Sequence, residues 1–340
     1  MVQNALADLR HQRLGRYAGV LIGLTVVCIY LAATEPVFLT WSNWANIIRS
    51  FAVVAILAIG MTFVVLAGGF DLSIASLTTV AAMILGLAIE SGWTWWAAAI
   101  ACLAVAVGLG FFNGFLIGVG GIPFFVVTLG TLAIYQSLAF LLNDGQTISL
   151  FQSRRFDPLN DLANGSVGPI PTLLFLIVGL YVVGAIVLRS TRFGRAVYAV
   201  GSNREAARLT GIRVTLVIVA VFTISGLFGG IGAIVQTGRL TASSPQADPN
   251  LMLTVVAAVL IGGTAFTGGE GGLFGTFVGV LFLGVVQNGL SLSGVSAFWQ
   301  GMVSGWILIA AVGIGVIREH RLSLPKIRRP AGPIQPAEGS

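Results

Sequence analysis

The hydrophobic pattern of the chain consists of long, continuous apolar blocks separated by short polar stretches. A helix needs about 20 apolar residues to cross a bilayer. Ten blocks come close to that length, at 17–34, 47–66, 72–89, 93–117, 123–142, 170–188, 214–235, 251–265, 273–290 and 298–316. The apolar residues lack the alternation that a membrane β-barrel requires. The pattern therefore predicts an all-α polytopic membrane protein with about ten transmembrane helices.

Composition strengthens this prediction. Charged residues make up 9% of the chain and hydrophobic residues 56%, whereas soluble domains contain about 25% charged residues. The 45 glycines are roughly twice the usual share, and small residues let transmembrane helices approach each other closely. We therefore expect a tightly packed helical bundle.

Basic residues are concentrated in three segments of the chain. Fourteen of the 18 Lys+Arg lie in the tail 1–16, in the segment 189–213 and after Gly315. Loops rich in lysine and arginine stay in the cytoplasm, which places both termini and the segment 189–213 there. The span count agrees, because six spans precede Arg189 and four more precede Arg318. Basic residues that flank spans in this way argue against a nucleic acid partner.

These boundaries predict three parts of the chain. They are a cytoplasmic tail (1–16), a transmembrane domain (17–317) containing the cytoplasmic segment 189–213, and a second cytoplasmic tail (318–340). The second tail is polar and rich in proline, so we expect it to be disordered. The longest external segment, 143–169, carries several turn signals. It is either a contact for an external partner or an ordinary connecting loop.

The segment 189–213 contains six arginines and one acidic residue, Glu205. The run Glu205-Ala206-Ala207, followed by Gly211, predicts a short amphipathic helix that ends at the glycine. Such a helix on the membrane surface is suited to dock into a soluble partner. The alternative is a basic anchor that sets topology and has no partner.

Asp71 is the only charged residue between Phe51 and Ile89. A carboxylate inside a membrane is costly unless it faces water, pairs or caps a helix. Its position before an apolar block predicts an N-cap whose side chain accepts from the first-turn amides. A direct role in the substrate path or its gate is the alternative. Gly68 and Gly69 permit a break in the chain in either case.

The glycine-rich segment 262–272 contains Glu270 but does not form a phosphate-binding P-loop, which needs Gly-Lys-Ser/Thr. The only lysine is Lys326, so we expect a flexible or closely packed cytoplasmic turn here. Both histidines, His11 and His320, flank the apolar region, and no histidine-based catalytic or metal site is expected in the bundle. The chain is predicted to have no cofactor and no enzymatic activity of its own. If it transports a substrate, we expect the energy to come from a separate subunit.

Two parts of the chain resemble each other. Asn113 recurs 175 residues later as Asn288, each followed by glycine, and Asp71 recurs 177 residues later as Asp248. Spans two to five would then repeat as spans seven to ten, with inverted topology because five spans separate the copies. Chance similarity between apolar helices is the alternative.

Several motifs resemble those of the permease subunits of bacterial ribose-type sugar ABC importers. The family's Gly-Ile-Asp-Leu-Ser-Val-Gly-Ser signature corresponds to residues 69–76, where Phe70 and Ala75 depart from the commonest form. Further matches are the coupling segment, the glycine-rich turn and a Gln-Asn-Gly-Leu run, at 191–212, 260–271 and 287–290. The resemblance extends over about 36–316, nearly the whole apolar region.

This resemblance implies a permease in the bacterial inner membrane that forms the path for a monosaccharide or related polyol into the cytoplasm. The implied partners are a cytoplasmic ABC ATPase, a periplasmic sugar-binding protein, and a second copy of the permease or a related one. Contact with the ATPase is expected at Asn203, Glu205, Ala206, Ala207 and Gly211.

Candidate residues for the translocation path or its gate are Asp71, Ser73, Phe124, Phe125 and Asn288. The aromatic side chains are included because their faces suit sugar rings, and interfacial or packing roles are the alternative for them. No polar group in the spans identifies a particular sugar, and we expect specificity to rest largely with the binding protein.

Three other functions remain to be compared with sugar import. A branched-chain amino acid ABC permease belongs to the same broad group, although the forms of residues 71–73 and 203–211 favour sugar. A self-contained secondary carrier usually keeps ionisable residues inside its spans. A membrane scaffold would transport nothing.

Overall fold

A computed structural model describes the backbone of residues 2–322 of the 340-residue chain. Side chains are described for residues 18–310, other than 249, 297 and 298, and for residue 313. The tail after residue 322, which is predicted to be disordered, lies outside this description.

Within residues 2–322 the chain forms thirteen α-helices. In chain order they are α1 (Val2–Thr34), α2 (Trp41–Leu66), α3 (Ile74–Glu90), α4 (Trp95–Gly118), α5 (Phe124–Leu141), α6 (Asp157–Asn164), α7 (Thr172–Ser190), α8 (Arg192–Ser202), α9 (Arg204–Leu209), α10 (Val214–Leu240), α11 (Pro249–Ile261), α12 (Leu273–Leu292) and α13 (Ala297–Leu322).

Each of the ten predicted apolar blocks corresponds to one of these helices. Six of them are long and apolar enough to cross a membrane: α2, α4, α5, α7, α10 and α12. Three shorter apolar stretches are α3, most of α11, and the part of α1 from Ala18 to Thr34. The chain is therefore an all-α, multi-pass membrane protein, as the hydrophobic pattern predicts.

The helix α2 lies at the centre of the bundle. Every residue from Ala52 to Ala67 is buried, and α2 packs against α7, α10, α11 and α12. A helix that is apolar on all sides can be covered by neighbours on every face, because its backbone hydrogen bonds are made within the helix itself. The carboxyl end of α2 is therefore held firmly, and it leads directly into Asp71.

The helices α4 and α10 cross at very short distance because glycine lies at the crossing. A Cβ atom on Gly110 would lie 2.5 Å from the carbonyl oxygen of Phe222 and 2.8 Å from the Cα of Gly226. Gly114 meets the backbone of Val219 in the same way. The glycine-rich composition thus serves close helix packing, as predicted.

The segment 143–169 is an ordered cap over the ends of α3 and α10. Two short antiparallel ladders pair β1 (Ile148–Ser149) with β4 (Ala242–Ser243), and β2 (Ser166–Val167) with β3 (Ile170–Pro171). A 3₁₀ turn at Arg154–Phe156 leads into α6, which packs against α10. The buried apolar side chains of the cap are Ile148, Leu150, Phe156, Leu159 and Ala163.

The helices α2–α5 and α10–α13 pack in corresponding ways. α4 packs against α10 as α12 packs against α2, and α3 packs against α10 as α11 packs against α2. Within each set the second helix contacts the third and the fourth, so that α3 meets α4 and α5, while α11 meets α12 and α13.

Candidate functional site

The link between α2 and α3 carries a fully buried carboxylate, that of Asp71. Gly68, with φ of 76°, turns the chain after the last residue of α2. The structure places the N-cap of α3 at Ser73, two residues after Asp71. The prediction that Asp71 itself is the N-cap is therefore corrected, although its side chain does accept from the Ser73 amide at 3.1 Å.

Asp71 accepts hydrogen bonds at both carboxylate oxygens. Its Oδ1 accepts from the hydroxyl of Ser73 at 2.6 Å, in addition to the Ser73 amide. Its Oδ2 accepts from the hydroxyl of Ser225 on α10 at 2.8 Å. Hydrogen bonds to an ionised acceptor are short and stronger than neutral ones. These contacts allow a carboxylate to lie inside the bundle, and they tie the α2–α3 link to α10.

The hydrogen-bond network continues from Ser73 into α4 and α5. The amide of Asn113 on α4 donates to the Ser73 hydroxyl oxygen at 2.8 Å. The hydroxyl of Tyr135 on α5 lies 3.1 Å from Oδ1 of Asn113 and 3.0 Å from the carbonyl oxygen of Leu109. We call Asp71, Ser73, Asn113, Tyr135 and Ser225 the polar network. It joins four elements of the bundle.

Sequence reasoning missed Tyr135 and Ser225 as members of this network. A buried tyrosine hydroxyl in an apolar helix needs an acceptor, and that need was a usable signal for Tyr135. Ser225 offers no such signal, because a lone serine in a glycine-rich helix has the same pattern as a packing residue. Asn113 was noticed only as a marker of the repeat.

An aromatic contact lies beside Asp71. The ring of Phe70 is 4.7 Å from that of Phe266 in the glycine-rich segment and 6.1 Å from that of Phe124 at the start of α5, centroid to centroid. The side chain of Phe125, in contrast, is 56% exposed. Of the two predicted gate aromatics, Phe124 is therefore the one that lies near Asp71.

Asn288, the remaining gate candidate, belongs to a different contact. Its amide and that of Asn43 exchange two hydrogen bonds, at 2.8 and 3.0 Å, between α12 and the first turns of α2. Asn43 also donates to the carbonyl oxygen of Phe38. This reciprocal pair explains Asn288 as a residue that joins two helices.

The predicted coupling segment is folded as α8 and α9. Asn203 is the N-cap of α9, with its side chain accepting from the amide of Ala206 at 2.9 Å. The chain leaves the helix through Gly211, whose φ of 83° favours glycine. Glu205, Ala206 and Gly211 are exposed, while Ala207 is 3% exposed and packs inward. The side chain of Ala207 therefore packs α9 against the bundle and is not exposed for direct contact with a partner.

The end of α8, the end of α2 and the glycine-rich segment meet backbone to backbone. The side chain of Arg204, the first residue of α9, reaches the same point, and we call this meeting point the glycine junction. The amide of Gly269 donates to the carbonyl oxygen of Leu66 at 2.9 Å, and the Arg204 guanidinium donates to the carbonyl oxygen of Gly68 at 3.2 Å. A Cβ on Gly201 would overlap the same Leu66 carbonyl. The glycine-rich segment is therefore a closely packed turn.

The glycine junction places the exposed α9 next to the polar network. Arg204 lies on α9, and its acceptor, Gly68, is three residues before Asp71. On the other side of the junction, the hydroxyl of Tyr198 on α8 donates to the carbonyl oxygen of Gly271 at 3.1 Å. The Arg204 side chain thus links α9 to the chain that carries Phe70 and Asp71.

Comparison with known proteins identifies the family. A family described as "Branched-chain amino acid transport system / permease component" matches residues 43–312. The chain belongs to this family of permease components.

This permease is 35% identical over 302 residues to the ribose import permease protein RbsC of Bacillus subtilis, covering 88% of this chain and 92% of the relative. It is 33% identical over 301 residues to the D-allose transport system permease protein AlsC of Escherichia coli, covering 88% and 91%. Among solved structures, one described as a metal-chelate type ABC transporter in an inward-facing conformation covers 90% of this chain and 98% of that chain, with a TM-score of 0.44 and 14% identity.

These findings confirm the resemblance to ribose-type ABC permeases and the interpretation of the chain as a transport subunit. Family membership and the long apolar helices together establish an integral protein of the bacterial inner membrane. Permeases of this kind work in general with an ATPase and a substrate-binding protein.

Proposed function

We propose that this permease forms the membrane path of an ABC importer that carries a monosaccharide or related polyol into the cytoplasm. The observation that carries the proposal is the similarity to ribose and allose permeases over nearly nine-tenths of the chain. A branched-chain amino acid substrate is the second candidate, because the family description names that class. The named sugar relatives favour the first.

The proposed topology has ten spans, with both termini and the α8–α9 segment in the cytoplasm. The corresponding packing of α2–α5 and α10–α13 supports an inverted repeat of these two sets. In this arrangement the cap 143–169 faces outward, where it is suited to meet a periplasmic binding protein. We propose that a second permease copy binds the exposed apolar face of α5, around Ile134, Leu138 and Leu141.

ATP-driven movement is proposed to enter the permease through α9. The exposed Glu205, Ala206 and Gly211 provide the surface for the ATPase, with Asn203 fixing the start of the helix. The glycine junction then moves the α2–α3 link, and Phe70 moves against Phe124 and Phe266 to open or close the path. ATP binding must favour one permease state through differential contact energy, because equal affinity shifts nothing.

The decisive experiment is transport in liposomes with defined components. The permease is reconstituted alone, and then with the ATPase and the binding protein encoded beside it, with radiolabelled ribose as the first substrate and leucine as the comparison. Sugar accumulation that requires all components and ATP is the expected result. Concentrative uptake by the permease alone would establish a secondary carrier, and uptake of leucine would establish the second candidate.

The coupling role of the glycine junction is tested with Arg204→Ala. Loss of the guanidinium frees α9 from the Gly68 carbonyl, so ATP hydrolysis should continue while uptake falls. We expect a decrease of roughly tenfold, equivalent to about 1.4 kcal/mol. Gly211→Pro should also uncouple ATP hydrolysis from uptake, since proline cannot adopt the φ at position 211. Glu205→Arg should do the same, because it reverses a charge on the surface proposed to meet the ATPase.

Arg208→Ala is the matched control. Arg208 also lies on α9, but it makes only a surface ion pair with Glu205 at 4.0 Å, with both side chains more than 70% exposed. Exposed pairs contribute little, so uptake should remain close to wild type. Equal loss in the Arg204 and Arg208 variants would contradict transmission through the junction.

A further inference from the structure

A groove of about 390 Å³ runs along the side of the bundle between α7, α8 and α12. Its floor is buried and consists of Tyr181, Leu188 and Leu273. Its rim is about half exposed and consists of Val178, Val182 and Phe274. The groove therefore opens sideways, between α7 and α12, which are both long and apolar enough to cross a membrane.

The two ends of this groove differ in chemistry. One end is lined by Arg189, the exposed residue near the end of α7, together with Tyr198 and the backbone of Gly271 and Gly272. The helix α12 begins at this end with no acidic residue in its first turn, so its dipole adds positive potential there. The exposed Glu270, two residues before the N-cap of α12, does not line the groove. The remainder of the groove, as far as Val178, is apolar.

The length of the groove matches one leaflet of a bilayer. Val178 and Arg189 are eleven residues apart on α7, which corresponds to about 16 Å at 1.5 Å per residue. The hydrocarbon core of a bilayer is about 30 Å thick, so one leaflet contributes about half of that. Both α7 and α12 are long and apolar enough to cross the membrane.

We propose that this groove binds an anionic phospholipid, with one acyl chain along α7 and the phosphate at Arg189. The positive end suits a headgroup phosphate, and a basic pocket between transmembrane helices is a recognised form of anionic lipid site. A water-soluble apolar ligand does not fit this arrangement, because the rim faces lipid along its length. The bound lipid also contacts Tyr198 and Gly271, and so it packs against the glycine junction.

The proposal is tested on the purified full-length permease in detergent, by thermal unfolding after removal of lipid. Phosphatidylglycerol should raise the unfolding midpoint by roughly 2–4 °C more than phosphatidylcholine with the same chains. Arg189→Gln should remove that difference, while Arg213→Gln should keep it, because Arg213 is exposed but does not line the groove. Equal shifts with both lipids in the wild type, or a retained difference in Arg189→Gln, would overturn the proposal.

A second pair of variants tests the acyl chain separately from the headgroup. Val182→Trp fills the groove and should abolish the response to phosphatidylglycerol. Val183→Trp, at a neighbouring position that is 60% exposed and outside the groove, should keep it. Glycerol phosphate, which lacks chains, should give no shift, and a shift equal to that of the lipid would show a simple anion site instead. These measurements are independent of transport, so their failure leaves the liposome experiment unaffected.

Discussion

The helices α2–α5 and α10–α13 are packed in corresponding ways, but the links after their first helices have opposite chemistry. After α2 the chain carries Asp71, which is fully buried and bonded to Ser73 and Ser225. After α10 it carries Asp248, which is exposed and caps its own helix through the amide of Asn250 at 2.9 Å. The corresponding aspartate thus makes a buried hydrogen bond to a distant helix in one set and caps its own helix in the other.

This difference teaches that the two sets are not interchangeable. Ser225 belongs to α10, the first helix of the second set, so the Asp71 carboxylate joins one set to the other. Asp248 bonds within its own helix start. The first set therefore provides the charged group, and the second provides a donor to it.

The largest difference between the two sets is expected in ATP-dependent uptake, when Asp71→Asn is compared with Asp248→Asn. The first change replaces the buried carboxyl group with an amide, whose NH₂ then faces one of the serine hydroxyls that donate to Asp71. We expect ATP-dependent uptake to fall by about tenfold or more, or at least about 1.4 kcal/mol. The second should stay near wild type, because asparagine caps helices as well as aspartate does.

Uptake in liposomes containing all transporter components, with the amount of folded permease measured in parallel, checks both variants. Equal losses would show that the buried carboxylate has no special role.

A smaller difference is expected in stability when the α4–α10 crossing is compared with the corresponding α12–α2 crossing. Gly110→Ala places a Cβ against backbone atoms of α10, which cannot move aside separately. Gly284→Ala places one 3.2 Å from the ring of Phe51 on α2, and a side chain can adjust. We expect Gly110→Ala to destabilise the protein by about 1–3 kcal/mol and Gly284→Ala by less. Thermal unfolding in detergent measures this, and the reverse order would show that α12 and α2 form the tighter crossing.

The smallest difference in stability is expected between Asn113→Ala and Asn288→Ala, at two corresponding positions of the proposed repeat. Asn113 is fully buried, and its loss leaves the Tyr135 hydroxyl without one of its two acceptors. Asn288 is half buried, and Asn43 keeps its bond to Phe38 when Asn288 is lost. We expect a cost of about 0.5–1.5 kcal/mol for the first, the net contribution of a hydrogen bond, because Tyr135 keeps the Leu109 carbonyl as an acceptor, and less for the second. Urea unfolding midpoints of the two variants compare them directly.

Much of the fold follows from the sequence, because a run of apolar residues long enough to cross a bilayer has few alternatives to a helix. The short helix before Gly211 was also predictable, since glycine at that position ends a helix. Asp71 attracted attention as a lone charge in an apolar stretch. Its partner Ser225 did not, and neither did Tyr135, which joins the polar network through Asn113. Both contacts form only after helices distant in the chain have packed together.

The inward position of Ala207 shows the same limit on a smaller scale. Ala206 and Ala207 are the same residue type on the same short helix, and one is exposed while the other is buried. Which face of α9 turns inward depends on its anchoring at the glycine junction. That anchoring involves residues 66–68 and 269, far from α9 in the chain.

The bond between Asp71 and Ser225 also has a consequence for how the protein is made. The two residues are separated by 154 positions, so at about 5–20 residues per second Ser225 is synthesised roughly 8–30 s after Asp71. During that interval the carboxylate lacks one of its hydroxyl donors, and early closure of the first helices would bury it incompletely satisfied. The first helices therefore gain by staying apart until α10 enters the membrane and supplies the Ser225 hydroxyl.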